Sequence, residues 1–169
     1  MIDQPRYAEW VRLSHRAARF EKFMTPAIQG LGKIDAELTA KDAAHLQLPQ
    51  RERESIERSI ELTERFTESY LWVLGAYEII RTMEQRVREN AGLVEEAAAH
   101  LIRDAKHKFE RVRIPLAKFE AAKRHSDTDS SVAFPALSPQ HGIAWCVSDN
   151  VFVTRRELSE CFMALLRAA

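Results

Sequence analysis

Cysteine is scarce in this chain: Cys146 and Cys161 are the only two among 169 residues. Two cysteines are too few for a zinc site or for the disulfide framework of a secreted domain. We expect both thiols to stay reduced, which indicates a cytoplasmic protein. Motifs that mark enzymes are also missing, because there is no glycine-rich phosphate loop, no Gly-x-Ser-x-Gly turn and no His-Glu-x-x-His pair. The sequence therefore predicts no bound cofactor and favours a role without catalysis.

An excess of charge of one sign is missing as well. The 25 Lys and Arg residues balance the 25 Asp and Glu residues, so an electrostatic partner would have to use a local patch. The longest apolar stretch, residues 70–80, is too short to span a membrane and is interrupted by Glu78. The N-terminus has no basic region followed by an apolar run. We predict a protein that is neither exported nor membrane-spanning.

Proline and glycine are nearly absent between Pro49 and Asn90, where Gly75 is the only glycine. An unbroken helix of this length would span roughly 60 Å, whereas a globule of this chain length is about 40 Å across. We therefore expect the helix to bend near Gly75, to protrude, or to be shared with a second subunit. We favour the last possibility and predict a homodimer.

Apolar residues at steps of three and four predict further helices. The segments are 5–24, 27–47 and 93–112, with a further turn or two over 116–123 after an interruption at Pro115. Thr25-Pro26 ends the first segment, because proline cannot continue a helix. The stop signal Asn90-Ala-Gly92 precedes the third, which we expect to run antiparallel to the long helix. Gly30 and Gly32 weaken the second segment.

The composition changes beyond residue 123. Residues 124–141 are rich in Ser, Asp and Pro and predict an irregular loop of about eighteen residues. Alternating apolar residues then predict a β-hairpin. We favour a three-residue hairpin loop, which places Val147 opposite Val151 and Trp145 opposite Val153, over a two-residue loop.

Thr154 and Glu157 have the spacing of a capping box and predict the start of a last helix. Its apolar stripe consists of Leu158, Cys161, Phe162, Leu165 and Leu166. Arg155 and Arg156 lie in its first turn, where positive charge opposes the helix dipole. With the free backbone N–H groups these two arginines could hold an anion. Screening by neighbouring carboxylates is the alternative that we favour.

These elements together predict a mainly α protein with one domain over residues 1–169. Antiparallel long helices form a bundle over 1–123, and residues 124–141 form the irregular loop. Residues 142–169 form a small C-terminal β-hairpin and a terminal helix, packed on the bundle.

Four potential metal ligands share one side of the helix predicted over 93–112. They are Glu96, His100, Asp104 and His107. At about 100° per residue they lie opposite the apolar face of that helix, whereas metal sites in helix bundles project inward. We interpret them as a solvent-exposed face and predict no metal site.

Glu78 is the acidic residue that interrupts the apolar run of the long helix. A buried carboxylate there would be a functional candidate, because burial raises its pKa. The helical period instead places Glu78 on one polar stripe with Arg81, three residues on. We predict an intrahelical ion pair on a polar face.

One stretch of the chain carries a local excess of positive charge. Its cations are Arg103, Lys106, Lys108, Arg111, Arg113, Lys118, Lys123 and Arg124. Such a stretch can bind nucleic-acid phosphates, with Arg111 and Arg113 as candidates. The helical pattern assigns its two aromatic residues, Phe109 and Phe119, to the core. Compensation by the acidic segment 52–68 is equally natural, so nucleic-acid binding is not the interpretation that we favour.

The helix lengths over residues 1–123 are similar to those of HEPN domains, a helical ribonuclease family built on a long antiparallel helix pair. The family motif is an arginine followed, after four to six residues, by a histidine. Arg103-Asp-Ala-Lys-His107 has the polar residue after the arginine but is one residue short. The resemblance implies a nucleic-acid-binding or ribonuclease domain with a divergent or lost active site, and Arg103, Asp104 and His107 as its candidate catalytic residues.

The favoured hypothesis is a small cytoplasmic interaction or scaffold protein that self-associates and does not catalyse a reaction. The alternative is the HEPN-like nucleic-acid-acting domain. Nothing in the sequence identifies a protein partner.

Overall fold

The computed structural model describes all residues from 1 to 169 and is mainly helical. A three-stranded antiparallel sheet lies near the C-terminus and a terminal helix follows it, which confirms the predicted fold class. The elements are α1 Gln4–Ser14, α2 Met24–Gln47, α3 Gln50–Arg53, α4 Ile56–Glu89, α5 Glu96–Lys118, β1 Phe134–Ser138, β2 Gly142–Ser148, β3 Val151–Thr154 and α6 Arg155–Ala168. Short 3₁₀ turns cover His15–Arg19 and Lys123–His125.

The first two helices differ from the prediction at their boundary. Asp3 precedes α1 and caps it, because its side chain accepts a hydrogen bond from the Arg6 backbone N–H at 3.1 Å; the helix ends at Ser14 instead of near Met24. Pro26 lies in the first turn of α2, where a proline is tolerated because its missing N–H has no helical partner. The segment predicted to be a weak helix is a regular helix of 24 residues. Its Gly32 faces Trp10, and a Cβ there would lie 2.4 Å from the Cβ of Trp10.

The long helix starts later than predicted. Pro49 precedes the four-residue helix α3. α4 begins at Ile56 and is capped by Ser55, whose hydroxyl accepts a hydrogen bond from the Arg58 N–H at 3.3 Å. α4 contains 34 residues and continues unbroken through Gly75, which corresponds to about 51 Å. The predicted stop at Asn90 is confirmed, and Gly92 adopts a positive φ of 88° in the turn that follows.

α5 packs along α4 and continues past the predicted interruption. Pro115 lies inside the helix, which ends only at Lys118. Phe119 then takes a left-handed conformation with φ of 57°. This turn directs the Phe119 side chain away from the interior, and it is 69% exposed. The assignment of Phe119 to the core was therefore wrong, whereas Phe109 is fully buried as predicted.

The segment predicted to be an irregular loop contains a strand. β1 pairs antiparallel with β2, which pairs antiparallel with β3. Trp145 lies opposite Val153, as predicted, but Ser148 instead of Val147 lies opposite Val151. A β-bulge between Cys146 and Ser148 takes Val147 out of the pairing, and it leaves a two-residue hairpin loop. The bulge keeps both Trp145 and Val147 buried.

The core joins the helices to the inner face of the sheet around a chain of aromatic rings. Phe162 of α6 packs against Trp10 at a centroid distance of 5.3 Å and against Phe109 at 6.4 Å. The capping box at the start of α6 is present as predicted. Thr154 Oγ1 accepts from the Glu157 N–H at 3.0 Å, and the Glu157 carboxylate accepts from the Thr154 N–H at 2.7 Å. This cap orients α6 so that Phe162 enters the core.

Candidate functional site

The residues considered for metal binding or catalysis lie on the outer side of α5. Glu96, His100 and Asp104 are exposed and His107 is half-buried. No group of three or more metal-ligating side chains comes together. Arg103 is exposed and its Nη1 lies 3.5 Å from Nδ1 of His100. The Arg103 side chain is therefore directed towards His100, in the preceding turn, and away from His107, in the following turn.

Arg111 and Arg113 are both engaged within the protein. Arg111 donates two hydrogen bonds to Asp129, at 2.7 and 2.9 Å, and the hydrogen bond from Arg111 is the main cause that lowers the Asp129 pKa. Arg113 lies over the Tyr77 ring, 5.1 Å from its centroid. Burial, with Glu110 nearby, raises the pKa of Tyr77 to about 12. These two arginines therefore fix α5 to its surroundings.

The polar stripe on α4 is an exposed cluster of charges. Arg81 Nε donates to Glu78 at 2.8 Å, and both side chains are about half exposed. Arg113 from α5 approaches the same carboxylate at 3.7 Å. This geometry describes a surface ion pair, whose contribution to stability is small.

The structure separates the two arginines at the start of α6. Arg156 remains half-buried and pairs with Glu160 at 3.0 Å. Arg155 is fully buried and donates hydrogen bonds to Asp35 and, at 3.2 Å, to Asp42. Its charge is compensated from α2 instead of by its neighbours in sequence, so Arg155 does not face an external anion.

Arg155 belongs to a buried charge network that the sequence analysis did not identify. Asp35 also accepts from Arg6 Nε at 2.5 Å and from Trp10 Nε1 at 2.9 Å. Asp42 also accepts from Arg65 Nη1 at 2.9 Å. The partners come from α1, α4 and α6, up to 120 residues away. One signal was available, because Asp35 lies seven residues from both Ile28 and Asp42, on the inner side of α2.

The start of α4 has the opposite character, because apolar side chains there are exposed. No residue between His45 and Arg65 is buried, and the first residue of α4 that packs against the core is Leu62, so the helix begins beyond the core. Ile56 is 77% exposed, and Ile60 and Leu71 are each 58% exposed. These three residues share the side of α4 that faces away from the core with two threonines and a half-buried leucine, and all six side chains lie within about 80° of arc around the helix axis. We call this set the α4 stripe: Ile56, Ile60, Thr63, Thr67, Leu71 and Leu74.

The α4 stripe contains no charged residue, and its hydroxyl groups are already satisfied. Thr63 Oγ1 donates to the Ser59 carbonyl at 3.0 Å, and Thr67 Oγ1 donates to the Thr63 carbonyl at 3.1 Å. Because these hydroxyls bond to their own helix, the threonines offer methyl groups to the outside. The stripe therefore presents a nearly continuous apolar surface, which is typical of a contact site.

An acidic row borders the α4 stripe on the side that faces α2. We call Glu57, Glu61, Glu64 and Glu68 the acidic row. Glu61 pairs with Arg58 at 2.6 Å and Glu68 with Lys41 at 2.8 Å. Glu57 and Glu64 are exposed and have no cationic partner. The surface on α4 is thus apolar along its middle and negative along one edge.

None of the helices combines the length and the apolar character that a membrane span requires. Comparison of the chain with protein-family models, with curated proteins and with solved structures gives no match.

Proposed function

We propose that this is a non-catalytic interaction protein that self-associates as a homodimer through the α4 stripe. The observation that supports the proposal is the exposure of Ile56, Ile60 and Leu71 on one side of a helix that extends past its own core. Burying these side chains against a second apolar surface removes area from water at a gain of about 25 cal/mol per Å². A second copy always supplies such a surface.

The charges beside the stripe favour a parallel arrangement of the two α4 helices. In an antiparallel pair centred on the stripe, Glu64 of one copy would face Glu64 of the other, and like charges repel. In a parallel pair, the acidic row of one copy faces the opposite flank of the other helix. That flank contains Ser59, Phe66 and Tyr70, none of which is charged. The parallel pair therefore avoids the repulsion.

The size of the surface sets the expected affinity. The stripe extends over 18 residue steps, about 27 Å, and a helix is about 10 Å wide. This footprint is smaller than the roughly 800 Å² per partner of a standard interface. We expect a dimer with a dissociation constant in the micromolar range.

Light scattering over a concentration series tests the proposal. We expect the apparent mass to rise from 19.4 kDa towards twice that value at tens of micromolar. Ile60→Asp should keep the protein monomeric. Phe23→Asp is the matched control, because Phe23 is also an exposed apolar residue, at 72%, but lies at the start of α2. A monomer at every concentration would refute the proposal, and so would equal loss of the dimer in both variants.

The rival hypothesis, an HEPN-like ribonuclease, makes a separate prediction. Such an enzyme needs an arginine and a histidine that act together, and here Arg103 is directed towards His100. We expect no cleavage of single-stranded RNA. Cleavage that is lost in His107→Ala would replace the interaction-protein proposal with the ribonuclease hypothesis.

A further inference from the structure

The largest group of cations without partners lies around a cleft at the end of α5. One cavity of about 520 Å³ is lined by Asp104, His107, Lys108, Arg111, Arg124 and His125. A second cavity of about 370 Å³ shares His107, Arg124 and His125 with it and adds Lys118 and Lys123. We call the two cavities together the basic cleft. It lies between the outer side of α5 and the 3₁₀ turn Lys123–His125.

Most cations of the basic cleft form no ion pair. Lys106, Arg111 and Arg113 of the same stretch are bound to carboxylates. The four cations Lys108, Lys118, Lys123 and Arg124 line the cleft and form no ion pair. Burial lowers the pKa of His107, and the charge of Arg124 lowers it further. The acidic residues that line the cleft are Asp104, Glu110 and Glu120.

Phe119 lies in the chain between Lys118 and Glu120, which both line this cleft. It is the only non-glycine residue with a positive φ, at 57°, a conformation that is strained for residues with a Cβ. At 69% exposure its ring gains little from packing that would offset the strain. An exposed aromatic ring beside unpaired cations is the arrangement on which proteins stack nucleobases while they hold the phosphates.

We propose that the basic cleft binds a nucleotide unit, with the phosphate on Lys123, Arg124 and the two histidines and the base stacked on Phe119. The free amine and guanidinium groups supply hydrogen bonds and charge for the phosphate oxygens. The ring of Phe119 supplies an uncharged flat surface that accepts any base. This chemistry fits a free nucleotide and a single strand of nucleic acid alike. The proposal concerns binding and is independent of the dimer.

Three probes test the proposal by titration at low salt: metal-free ADP, a single-stranded RNA of about eight nucleotides, and pyrophosphate. We expect the RNA or ADP to bind more tightly than pyrophosphate, and the side-chain NMR signals of His107 and His125 to shift on binding. Tight binding of RNA alone would identify a strand as the source, and equal binding of ADP would identify a free nucleotide. Lys123→Gln with Arg124→Gln should weaken binding at least tenfold and reduce the salt slope for RNA.

Two variants separate a specific cleft from general charge attraction. Lys33→Gln with Arg88→Gln removes the same charge from exposed positions on α2 and α4 and should leave binding unchanged. Phe119→Gly should weaken the binding of RNA or ADP about tenfold but leave pyrophosphate unaffected. Because glycine accepts the left-handed conformation, the same variant should melt at an equal or higher temperature. The proposal is overturned if none of the probes binds, if both charge variants weaken binding equally, or if Phe119→Gly leaves nucleotide binding intact.

Discussion

Charged side chains are buried on the inner side of α2, and apolar side chains are exposed on the outer side of α4. Both are exceptions to the usual arrangement, in which apolar residues lie inside a protein and charged residues outside. On α2, the carboxylates of Asp35 and Asp42 are buried, and each is hydrogen-bonded to arginines from other helices. On α4, Ile56 and Ile60 are exposed and nothing within the protein covers them. The buried charges are compensated inside the fold, whereas the exposed apolar residues are not. The first region therefore contributes to stability, and the second supports the proposed contact with a second copy.

Asp35 shows how a buried carboxylate becomes stabilising. Burial alone acts to raise the pKa of Asp35, but the charges of Arg155 and Arg6 outweigh it and lower the pKa from its ordinary value. Removing one member of such a network leaves buried charges without partners, which costs much more than the net contribution of the intact network. The network also ties the start of α6 to α1 and α2.

The largest effect is expected when the buried network is broken. Asp35→Ala leaves Arg6 and Arg155 buried without their shared partner and should reduce the free energy of unfolding by about 3–5 kcal/mol. Denaturant melts measure this difference. Asp104→Ala is the control, because Asp104 is exposed and should change stability by less than about 0.5 kcal/mol. A loss below about 1 kcal/mol for Asp35→Ala would show that the network is not needed for stability.

Acid should remove part of the same stabilisation. The folded-state pKa of Asp35 is lowered, so the ionised carboxylate stabilises the fold above the unfolded-state pKa of about 3.9. This contribution is lost as the pH falls further, through the folded-state pKa. The difference in stability between the native protein and Asp35→Asn should therefore be constant from pH 5 to pH 7 and shrink below about pH 4. Melts at several pH values check this, and a difference that does not change on acidification would contradict the assignment.

A smaller effect is expected from the cap next to the network. Thr154→Ala removes the hydroxyl that caps α6 and should cost about 1 kcal/mol. Thr154→Ser retains the hydroxyl and should cost clearly less. If the two variants melt alike, the cap does not hold α6 in place, and the ion pairs of Arg155 do so alone.

The smallest effect on stability is expected from a substitution in the exposed α4 stripe. Ile60→Asp should change the free energy of unfolding of the monomer by less than about 0.5 kcal/mol, because its side chain is 58% exposed. Denaturant melts measure this value at a protein concentration below the dissociation constant of the dimer, where the protein is monomeric. A loss of several kcal/mol would mean that Ile60 belongs to the core of its own chain and that no exposed contact surface exists.

Local signals explain which parts of the fold were predictable from the sequence. The cap at Thr154 and the stop at Asn90 depend on residues within one helical turn, and both were predicted. β1 was missed because Pro135 and the Ser- and Asp-rich residues 126–131 that precede the strand resemble a loop, and its pairing with β2 depends on tertiary context. Arg155 was misplaced for the same reason, since Asp35 lies 120 residues away.

The candidate sites were harder to predict because the exposure of their side chains depends on where each helix begins and ends relative to the rest of the fold. The apolar residues Ile56 and Ile60 fit a helical pattern, but the sequence does not show that no other element covers them. Phe119 likewise fits the period of α5, and only the left-handed turn at the end of that helix places it outside the core. The helical repeat of apolar residues predicts which side chains share one face of a helix. The neighbouring helices and strands determine whether that face is buried.

Cross-linking through a single cysteine in the α4 stripe tests the central claim most directly. Ile60→Cys is introduced after Cys146 and Cys161 are replaced by serine, and the protein is oxidised at tens of micromolar. In a parallel pair each position of the stripe faces itself, within the range that a disulfide requires. We predict a covalent dimer for Ile60→Cys and none for the control Arg88→Cys on the same helix. Failure of Ile60→Cys to cross-link, or equal cross-linking of both variants, would contradict self-association through the α4 stripe.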